Sequence, residues 1–162
     1  MNENGRPDPD ELLRGIQRAQ DRKQRGRLKV FFGMCPGVGK TFSMLRAARE
    51  KQASGAKVLV GLVETHQRVE TQALLEGLEI LPRRKLEHKN TLFEEFDLDR
   101  ALELKPEVIL VDELAHSNAP GSRHPKRYHD VKDLLFAGID VYTTMNVQHI
   151  ESLREPVARL TG

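Results

Sequence analysis

The sequence predicts an α/β fold in which a mostly parallel central sheet is covered by helices on both faces. Short runs rich in valine and leucine alternate with stretches whose apolar residues recur at helical spacing. The runs are apolar throughout, as is typical of strands buried on both sides. Turn-forming pairs such as Ser54-Gly55 and Lys105-Pro106 separate the segments. Together these observations predict repeated β-α-β units.

Composition sets outer limits on the class of protein. The 162 residues fit one domain of ordinary size, and 38% hydrophobic with 31% charged residues is typical of a globular chain. The formal net charge is only +2, and the basic runs at 22–27 and 83–85 are interpreted as solvated surface or linker. Two tyrosines and no tryptophan leave little surface for stacking bases, so no nucleic-acid partner is expected. A single cysteine favours a reducing compartment.

The chain divides at the first apolar strand. Residues 1–27 are predicted to form an N-terminal amphipathic helix followed by a basic connector, and residues 28–162 the α/β domain. The sequence Asp8-Pro9-Asp10 is typical of a helix start. The apolar positions of this helix are Leu12, Leu13, Ile16 and Ala19.

The elements of the main domain follow in order. A buried type of strand is predicted at 28–32 and a helix up to about residue 53; a second strand follows at 57–63. Val69, Ala73, Leu74 and Leu78 mark a further helix, whereas residues 82–96 give no clear pattern. The remaining predictions are a helix at 98–104, a strand at 108–111, a polar loop at 115–125, a helix ending at Gly138 and a strand at 140–144.

The segment between the first strand and the following helix has the composition of a phosphate-binding loop. It reads Gly33-Met34-Cys35-Pro36-Gly37-Val38-Gly39-Lys40-Thr41. Glycines let several backbone N–H groups point at one oxyanion, and the start of the helix adds its own N–H groups and positive dipole end. Lys40 can bridge the β- and γ-phosphates, and the hydroxyl of Thr41 is the expected ligand of Mg²⁺. The predicted contacts to ATP with Mg²⁺ come from Pro36, Gly37, Val38, Gly39, Lys40, Thr41 and Phe42.

One position departs from the usual phosphate-loop pattern. Met34 stands where the pattern has its first glycine, and Gly33 lies one residue too early. The part that wraps the phosphates, from Pro36 to Thr41, is intact. We therefore predict a P-loop NTPase-like three-layer sandwich, without assuming tight affinity.

Two carboxylates follow the most apolar strand of the chain. Asp112 and Glu113 come directly after Val108-Ile109-Leu110-Val111. In P-loop proteins an aspartate in this position binds the magnesium ion, usually through a water molecule, and this role is predicted for Asp112. Glu113 is a candidate general base that would polarise a water near the γ-phosphate. Its alternative is a plain acidic residue at a strand exit.

Weaker candidates lie in three other segments. Glu64-Thr65-His66 and the segment from Thr143 to Asn146 end strands at the same edge, where open α/β sheets bind ligands. Arg123 and Arg127 could stabilise transition-state charge, in the same chain or across a subunit interface. For each of these residues a surface or capping role is an equal alternative.

The chain resembles the N-terminal cytoplasmic domain of the KdpD family of bacterial sensor histidine kinases, over nearly its whole length. Four stretches carry the resemblance, of which the loop with Gly-Ser-Arg-His-Pro-Lys-Arg-Tyr is the most specific. They are Lys29 to Thr41 around the phosphate loop, Val63-Glu64-Thr65-His66, Val111 to Tyr128, and Asp140 to His149. Family members also tend to lack the first glycine, so Met34 is no anomaly among them.

The resemblance implies a role that composition alone does not show. The parent protein would be an inner-membrane kinase that responds to potassium limitation and osmotic stress and passes a phosphoryl group from a histidine to a response regulator. This domain would lie in the cytoplasm, bind ATP and tune the balance of kinase and phosphatase output. Its expected partners are ATP, the other domains of the parent kinase and the response regulator, with a homodimer as a further possibility. Contact with the membrane would come only through the parent protein.

Three functions remain open at this point. The first is a regulatory ATP-binding module with little or no turnover, which the resemblance favours. The second is an active ATPase that uses Glu113 and an arginine. The third is a small-molecule kinase with Glu64 or Glu113 as its base, for which the loop at 115–125 would have to cover an acceptor.

Overall fold

The computed structural model describes residues 9–33, 39–146 and 150–161. Three of the predicted phosphate-loop residues, Pro36, Gly37 and Val38, lie outside these ranges. The strands are β1 (Leu28–Gly33), β2 (Val58–Leu62), β3 (Glu79–Ile80), β4 (Arg84–His88), β5 (Thr91–Glu95), β6 (Val108–Val111) and β7 (Asp140–Asn146). The helices are α1 (Pro9–Gln24), α2 (Lys40–Ala53), α3 (Val69–Ala73), α4 (Leu98–Leu104), α5 (Arg127–Phe136) and α6 (Ile150–Thr161).

The central sheet has five parallel strands in the order β1-β7-β6-β2-β3. β7, the last strand in the sequence, therefore lies between β1 and β6. β1 leads into the phosphate loop, and β6 leads to Asp112. Parallel strands place their carboxyl ends at one edge, so the ends of β1, β2, β6 and β7 lie together there. This confirms the predicted α/β class with a mostly parallel sheet.

Helices cover both faces of the sheet, as predicted. Along β6 the side chains of Val108 and Leu110 pack with α2 on one face, while Ile109 and Val111 pack with α4, α5 and α6 on the other. This alternation follows from the two-residue repeat of a strand. Because both faces are covered, all four residues of β6 are buried. This burial on both faces explains why every residue of the strand is apolar.

The first strand differs from its prediction. β1 was expected to be buried on both sides, but it is the edge of the sheet and pairs with β7 alone among the described strands. Phe32 is 54% exposed, and only Gly33 in this strand is fully buried. The apolar sequence of β1 could not distinguish an edge from the centre, because strand order is set by contacts between distant segments.

The segment at 82–96 forms a β-hairpin that the sequence left unassigned. β4 and β5 pair in antiparallel fashion, and Lys89 and Asn90 connect them with positive φ angles of 47° and 62°. Two such residues match the twist of a two-residue hairpin turn. The strands were missed because they lie apart from the central sheet, where most of their side chains are exposed and charged.

Other boundaries differ more modestly. The helix expected around Val69 to Leu78 is the single short helix α3, with turns after it, whereas β7 runs two residues beyond its prediction to Asn146. The short strand β3 and the helix α6 had not been predicted at all. Part of the expected basic connector is helical, because α1 continues to Gln24. Whether residues 1–27 form a separate unit stays a prediction.

The segment after α1 is tied to the main domain at its backbone. Gly26 donates to the carbonyl of Leu135 at 2.8 Å, and the N–H of Arg27 donates to Asp140 Oδ1 at 2.8 Å. A Cβ atom at Gly26 would lie 1.9 Å from the carbonyl oxygen of Ile139, so this close approach requires glycine. No helix among the described residues is long and apolar enough to cross a bilayer.

Candidate functional site at the carboxyl edge of the sheet

A cavity of about 690 Å³ opens at the carboxyl edge of the central sheet. Residues from the start of α2, the exits of β2 and β6 and the end of β7 form its walls. Six of the predicted site residues line it: Gly39, Lys40, Thr41, Phe42, Asp112 and Glu113. A volume of this size is ordinary for a nucleotide or other small ligand.

The start of α2 presents N–H groups to this cavity for which the described residues provide no side-chain cap. The first turn of a helix has no intrahelical acceptors for its N–H groups, and α2 has no side-chain cap and no acidic residue there. Gly39 precedes the helix with a φ of 82°, a left-handed conformation that glycine adopts without strain. The positive end of the helix dipole is therefore free of a competing anion from its own first turn.

Lys40 extends from this turn toward β7. Its Nζ atom donates to Asn146 Oδ1 at 2.5 Å. Asn146 pairs with Gly33 in the register of β7 and β1, so it lies beside the strand that leads into the phosphate loop. The structure thus brings one residue of the weaker candidate segment, Thr143 to Asn146, directly to the predicted phosphate-binding lysine.

Asp112 is almost fully buried, with 2% exposure, and its carboxylate accepts four hydrogen bonds. Oδ2 accepts from the Thr41 hydroxyl at 3.2 Å and from the N–H of Glu64 at 3.1 Å. Oδ1 accepts from the hydroxyl of Thr144 and from the N–H of Glu113. The two predicted metal ligands, Thr41 and Asp112, are therefore in direct contact although they are 71 residues apart. A hydroxyl and a carboxylate are oxygen donors of the kind that Mg²⁺ prefers.

Glu113 lies at the exposed side of the cavity floor in an unusual backbone conformation. Its φ is 58°, and its N–H donates to Thr144 Oγ1 at 3.0 Å as well as to Asp112. A left-handed conformation is unfavourable for a residue with a side chain by about 1–2 kcal/mol. Strain of this kind is often found at functional sites, and the exposed Glu113 lines the cavity.

Glu64 also lines the cavity, but it is already paired. Its Oε1 lies 2.9 Å from Arg83, which also donates to the carbonyl of Val63. The basic run at 83–85 was expected to be solvated, and for Arg83 the structure shows a partly buried ion pair instead.

The two arginines suggested as charge-stabilising groups lie in different environments. Arg123 is exposed and pairs with Asp99 at 3.0 Å, away from the walls of the cavity. Arg127 is 2% exposed and donates to the main-chain carbonyl of Asp112 at 2.9 Å and to Glu95 at 3.3 Å. Its hydrogen bond to the Asp112 carbonyl holds the chain where it leaves β6. The catalytic role suggested for either arginine stays a prediction.

A buried acid that the sequence did not single out links these groups. Glu95, the last residue of β5, accepts from His116 Nε2 at 3.0 Å, from the N–H of Ala119 at 2.8 Å and from Arg127. Burial alone would raise the pKa of Glu95, but the hydrogen bonds from His116 and Ala119 and the nearby cations hold that pKa below its ordinary value. A lone glutamate in an unassigned segment carries no signal of this role, because its partners are 21 to 32 residues away.

The KdpD family model, described as the osmosensitive K⁺ channel His kinase sensor domain, matches residues 24–162 of the chain. The chain belongs to this family. The match confirms the resemblance drawn from the four sequence stretches. In the KdpD fold seen here, all four of those stretches contribute residues to the walls of the cavity, at the start of α2, the exits of β2 and β6 and the end of β7.

Individual relatives agree with the KdpD assignment. The sensor protein KdpD of Escherichia coli (strain K12) is 56% identical over 161 residues, and that of Clostridium acetobutylicum is 51% identical over 156 residues. A putative sensor protein KdpD of Synechocystis is 46% identical over 139 residues. These alignments cover 99%, 96% and 86% of the chain, but only 18%, 17% and 38% of the relatives. The chain thus spans less than a fifth of the length of the first two.

A second buried acid, Asp130, lies in the helix that follows the loop. Burial raises its pKa to about 6, although Asn118 donates to it at 2.9 Å and His124 and Arg127 lie near. Between about pH 4 and pH 6 the folded protein therefore retains a proton that the unfolded chain has released. The free energy of unfolding must fall as the pH rises through this window, because the folded state binds more protons than the unfolded state.

We expect Asp130→Asn to stabilise the protein at pH 7.5 by up to about 3 kcal/mol, the equivalent of a two-unit pKa shift. At pH 4, where folded Asp130 is protonated and the unfolded residue is only partly ionised, the difference should fall below about 1 kcal/mol. Urea unfolding at the two pH values measures it. Asp99→Asn is the matched control, because Asp99 is exposed and its ion pairs are worth less than about 1 kcal/mol. Equal stabilisation at both pH values would contradict the assignment.

Proposed function

We propose that this chain is the ATP-binding regulatory domain of a sensor histidine kinase that responds to potassium limitation and osmotic stress. The observation that carries the proposal is the convergence of four groups on one cavity: the uncapped start of α2, Lys40, Thr41 and Asp112. In this proposal the fold is a P-loop NTPase-like three-layer sandwich. The strand order supports it, because it brings the exits of β1 and β6 to the same edge with only β7 between them.

The phosphates of ATP would lie against the start of α2. There the N–H groups of Lys40, Thr41 and Phe42 can donate to phosphate oxygens, and the helix dipole favours the negative charge. The ammonium group of Lys40 would add a charge-assisted bond to the β- and γ-phosphates. Asn146, which holds that ammonium at 2.5 Å, is positioned to keep the lysine extended toward the ligand.

Thr41 and Asp112 fit a magnesium ion by the chemistry of their donors. The ion would neutralise phosphate charge, and Asp112 would contact it through water, consistent with a carboxylate that already accepts bonds from Thr41, Glu64 and Thr144. The buried hydrogen bonds keep Asp112 oriented toward Thr41 whether or not a ligand is bound.

A regulatory rather than a histidine-phosphorylating role is supported by the family and by what the chain contains. The family description calls this part a sensor domain, and the chain covers a small fraction of its relatives. Its sequence has no Asp-x-Gly-x-Gly lid of the kind expected in the catalytic domain of a histidine kinase. The proposed partners are the other domains of the parent kinase, its response regulator and a second copy. We place the domain in the cytoplasm, attached to an inner-membrane protein.

Slow ATP hydrolysis is the second candidate function. It is favoured by the exposed carboxylate of Glu113, which the left-handed backbone turns toward the cavity. A small-molecule kinase finds less support, because Glu64 already pairs with Arg83 and is not available as a base in this arrangement.

The proposal predicts that ATP binding depends on Mg²⁺ through Thr41. We expect calorimetry to show one ATP per chain and a weaker affinity when EDTA removes the metal. Thr41→Val should abolish that difference, since it removes the hydroxyl and preserves the branched shape, whereas Thr41→Ser should retain it. The absence of any ATP binding to the unaltered domain would refute the proposed function.

A further inference from the structure

His116 forms part of the cavity wall and contacts a carboxylate behind it. It lies in the loop after β6, four residues beyond Asp112. Its Nε2 atom is within 3.0 and 3.2 Å of the two oxygens of Glu95. The Glu95 side chain is 9% exposed and the His116 side chain 32%, so the acid is enclosed while the imidazole reaches the cavity.

The ionised state of Glu95 decides which ring nitrogen of His116 carries the proton and which can accept one. Burial opposes its charge, yet the donors around it hold the pKa of Glu95 below its ordinary value, so it remains a carboxylate at neutral pH. A carboxylate only accepts hydrogen bonds, so the proton of a neutral His116 resides on Nε2. Nδ1 then carries the lone pair, and it makes no hydrogen bond with any residue that the structure describes.

Hydrogen bonds hold the loop around His116 in place. The N–H of His116 donates to the carbonyl of Glu113 at 3.0 Å, and its own carbonyl accepts from the N–H of Arg127 at 3.1 Å. The side chain of Arg127 joins Glu95 to the carbonyl of Asp112. The imidazole, its carboxylate and the strand exit therefore form one connected unit, which is a pre-organised arrangement.

We propose that His116 is a general base for slow hydrolysis of the bound nucleoside triphosphate, with Glu95 as its positioning residue. This inference rests on the proposed nucleotide site. The water would be held between Nδ1 of His116 and the γ-phosphate, and both His116 and the predicted phosphate ligand Lys40 line the same cavity. A base oriented by a second group through its other nitrogen is the arrangement that activates weak nucleophiles in many enzymes.

The reaction balances without any further reagent. The water oxygen forms a bond to the γ-phosphorus as the bond from that phosphorus to the bridging oxygen of the diphosphate breaks, and the bridging oxygen keeps the electron pair. The water proton passes to Nδ1, and the resulting imidazolium is stabilised by the carboxylate of Glu95. The proton is then released to solvent, leaving a nucleoside diphosphate and inorganic phosphate as products.

A second histidine of the same chain provides a matched control. His124 also pairs with a carboxylate, Asp133 at 2.7 Å, and it is similarly half-buried. It does not line the cavity. Replacing His124 therefore removes the same kind of histidine–carboxylate contact without removing a group from the proposed site.

The test is phosphate release from saturating Mg-ATP, together with calorimetric ATP affinity and a melting curve for each variant. We expect His116→Ala to lower the release rate about 100-fold, within the range typical of a general base, while ATP affinity changes less than about threefold. Added imidazole should restore part of the rate to His116→Ala. Glu95→Gln should lower kcat at unchanged KM, and His124→Ala should leave the rate unchanged.

Several outcomes would overturn the inference. An unaltered domain that binds ATP without releasing phosphate would overturn it and leave the nucleotide site standing, whereas failure to bind ATP would refute both. A rate lost in Glu113→Gln but kept in His116→Ala would assign the base to Glu113. If His116→Ala unfolds, His116→Gln takes its place with the same expected loss. A loss that imidazole does not rescue in the folded alanine variant would make His116 structural.

Discussion

Lys40→Ala should weaken ATP binding by about 2 kcal/mol or more, which is roughly a 30-fold rise in Kd. The lysine contributes a charge-assisted hydrogen bond to the phosphates, and these bonds are among the stronger ones in proteins. None of the other lysines and arginines of α2 lines the cavity, so no other cation of this helix can replace it. Calorimetric titration with Mg-ATP measures the change directly.

Lys51→Ala is the control for this measurement. Lys51 is exposed and lies in the last turn of the same helix. It lies eleven positions beyond Lys40, which is about 16 Å along the helix at a rise of roughly 1.5 Å per residue. It carries the same charge, so any general electrostatic effect should appear in both variants. Affinity that is unchanged in Lys40→Ala, or lowered equally in both variants, would refute the assignment of the phosphate site.

Arg127→Met is expected to cause the largest loss of folding stability, about 3–5 kcal/mol. Removing this cation leaves the buried carboxylate of Glu95 with one partner fewer and the carbonyl of Asp112 without its side-chain donor. An uncompensated buried charge is costly because protein replaces water around it. Such a loss is a large fraction of the roughly 5–15 kcal/mol that stabilises a typical domain.

Urea unfolding measures the free energy of unfolding of Arg127→Met and of Arg123→Met. The comparison separates the loss of the buried network from the general effect of removing an arginine. Arg123 is exposed, and its ion pair with Asp99 should be worth less than about 1 kcal/mol. Arg127→Lys should lie between the two, since it keeps the charge but cannot donate from two nitrogens at once. Similar stabilities of Arg127→Met and Arg123→Met would show that the buried network does not stabilise the fold.

Segments with a strong local pattern were predictable. β6 is apolar at every position because both of its faces are buried, and α4 begins at Leu98 where Asp97 caps it through the N–H of Arg100. The direct contact of Thr41 with Asp112 had been anticipated as a shared metal site, because glycine-rich turns and acids at strand ends have recognisable sequences. Each of these motifs depends on residues close together in the chain, although Thr41 and Asp112 themselves are 71 residues apart.

The edge position of β1 and the hairpin of β4 and β5 were not predictable in the same way. An apolar strand has the same sequence at an edge as in the centre. The inward face of the hairpin has only two half-buried apolar residues, Leu86 and Phe93, which are too few to produce a repeating pattern in a mostly charged segment. The role of Glu95 was hidden for a related reason. Its partners His116 and Arg127 come from a loop and a helix that only the folded chain brings to it.

The sequence by itself determined the α/β class and the family, and it predicted which residues would hold phosphates and a metal ion. Each of these follows from short-range patterns: apolar periodicity, a glycine-rich turn and acids at a strand end. Only the tertiary structure decided that β7 lies between the phosphate-loop strand and β6, bringing Asn146 to Lys40 and Thr144 to Asp112. It also decided that Arg127 is a buried brace and that His116 faces the cavity. The physical reason is that strand order and burial arise from packing between distant segments, which no local pattern in the chain records.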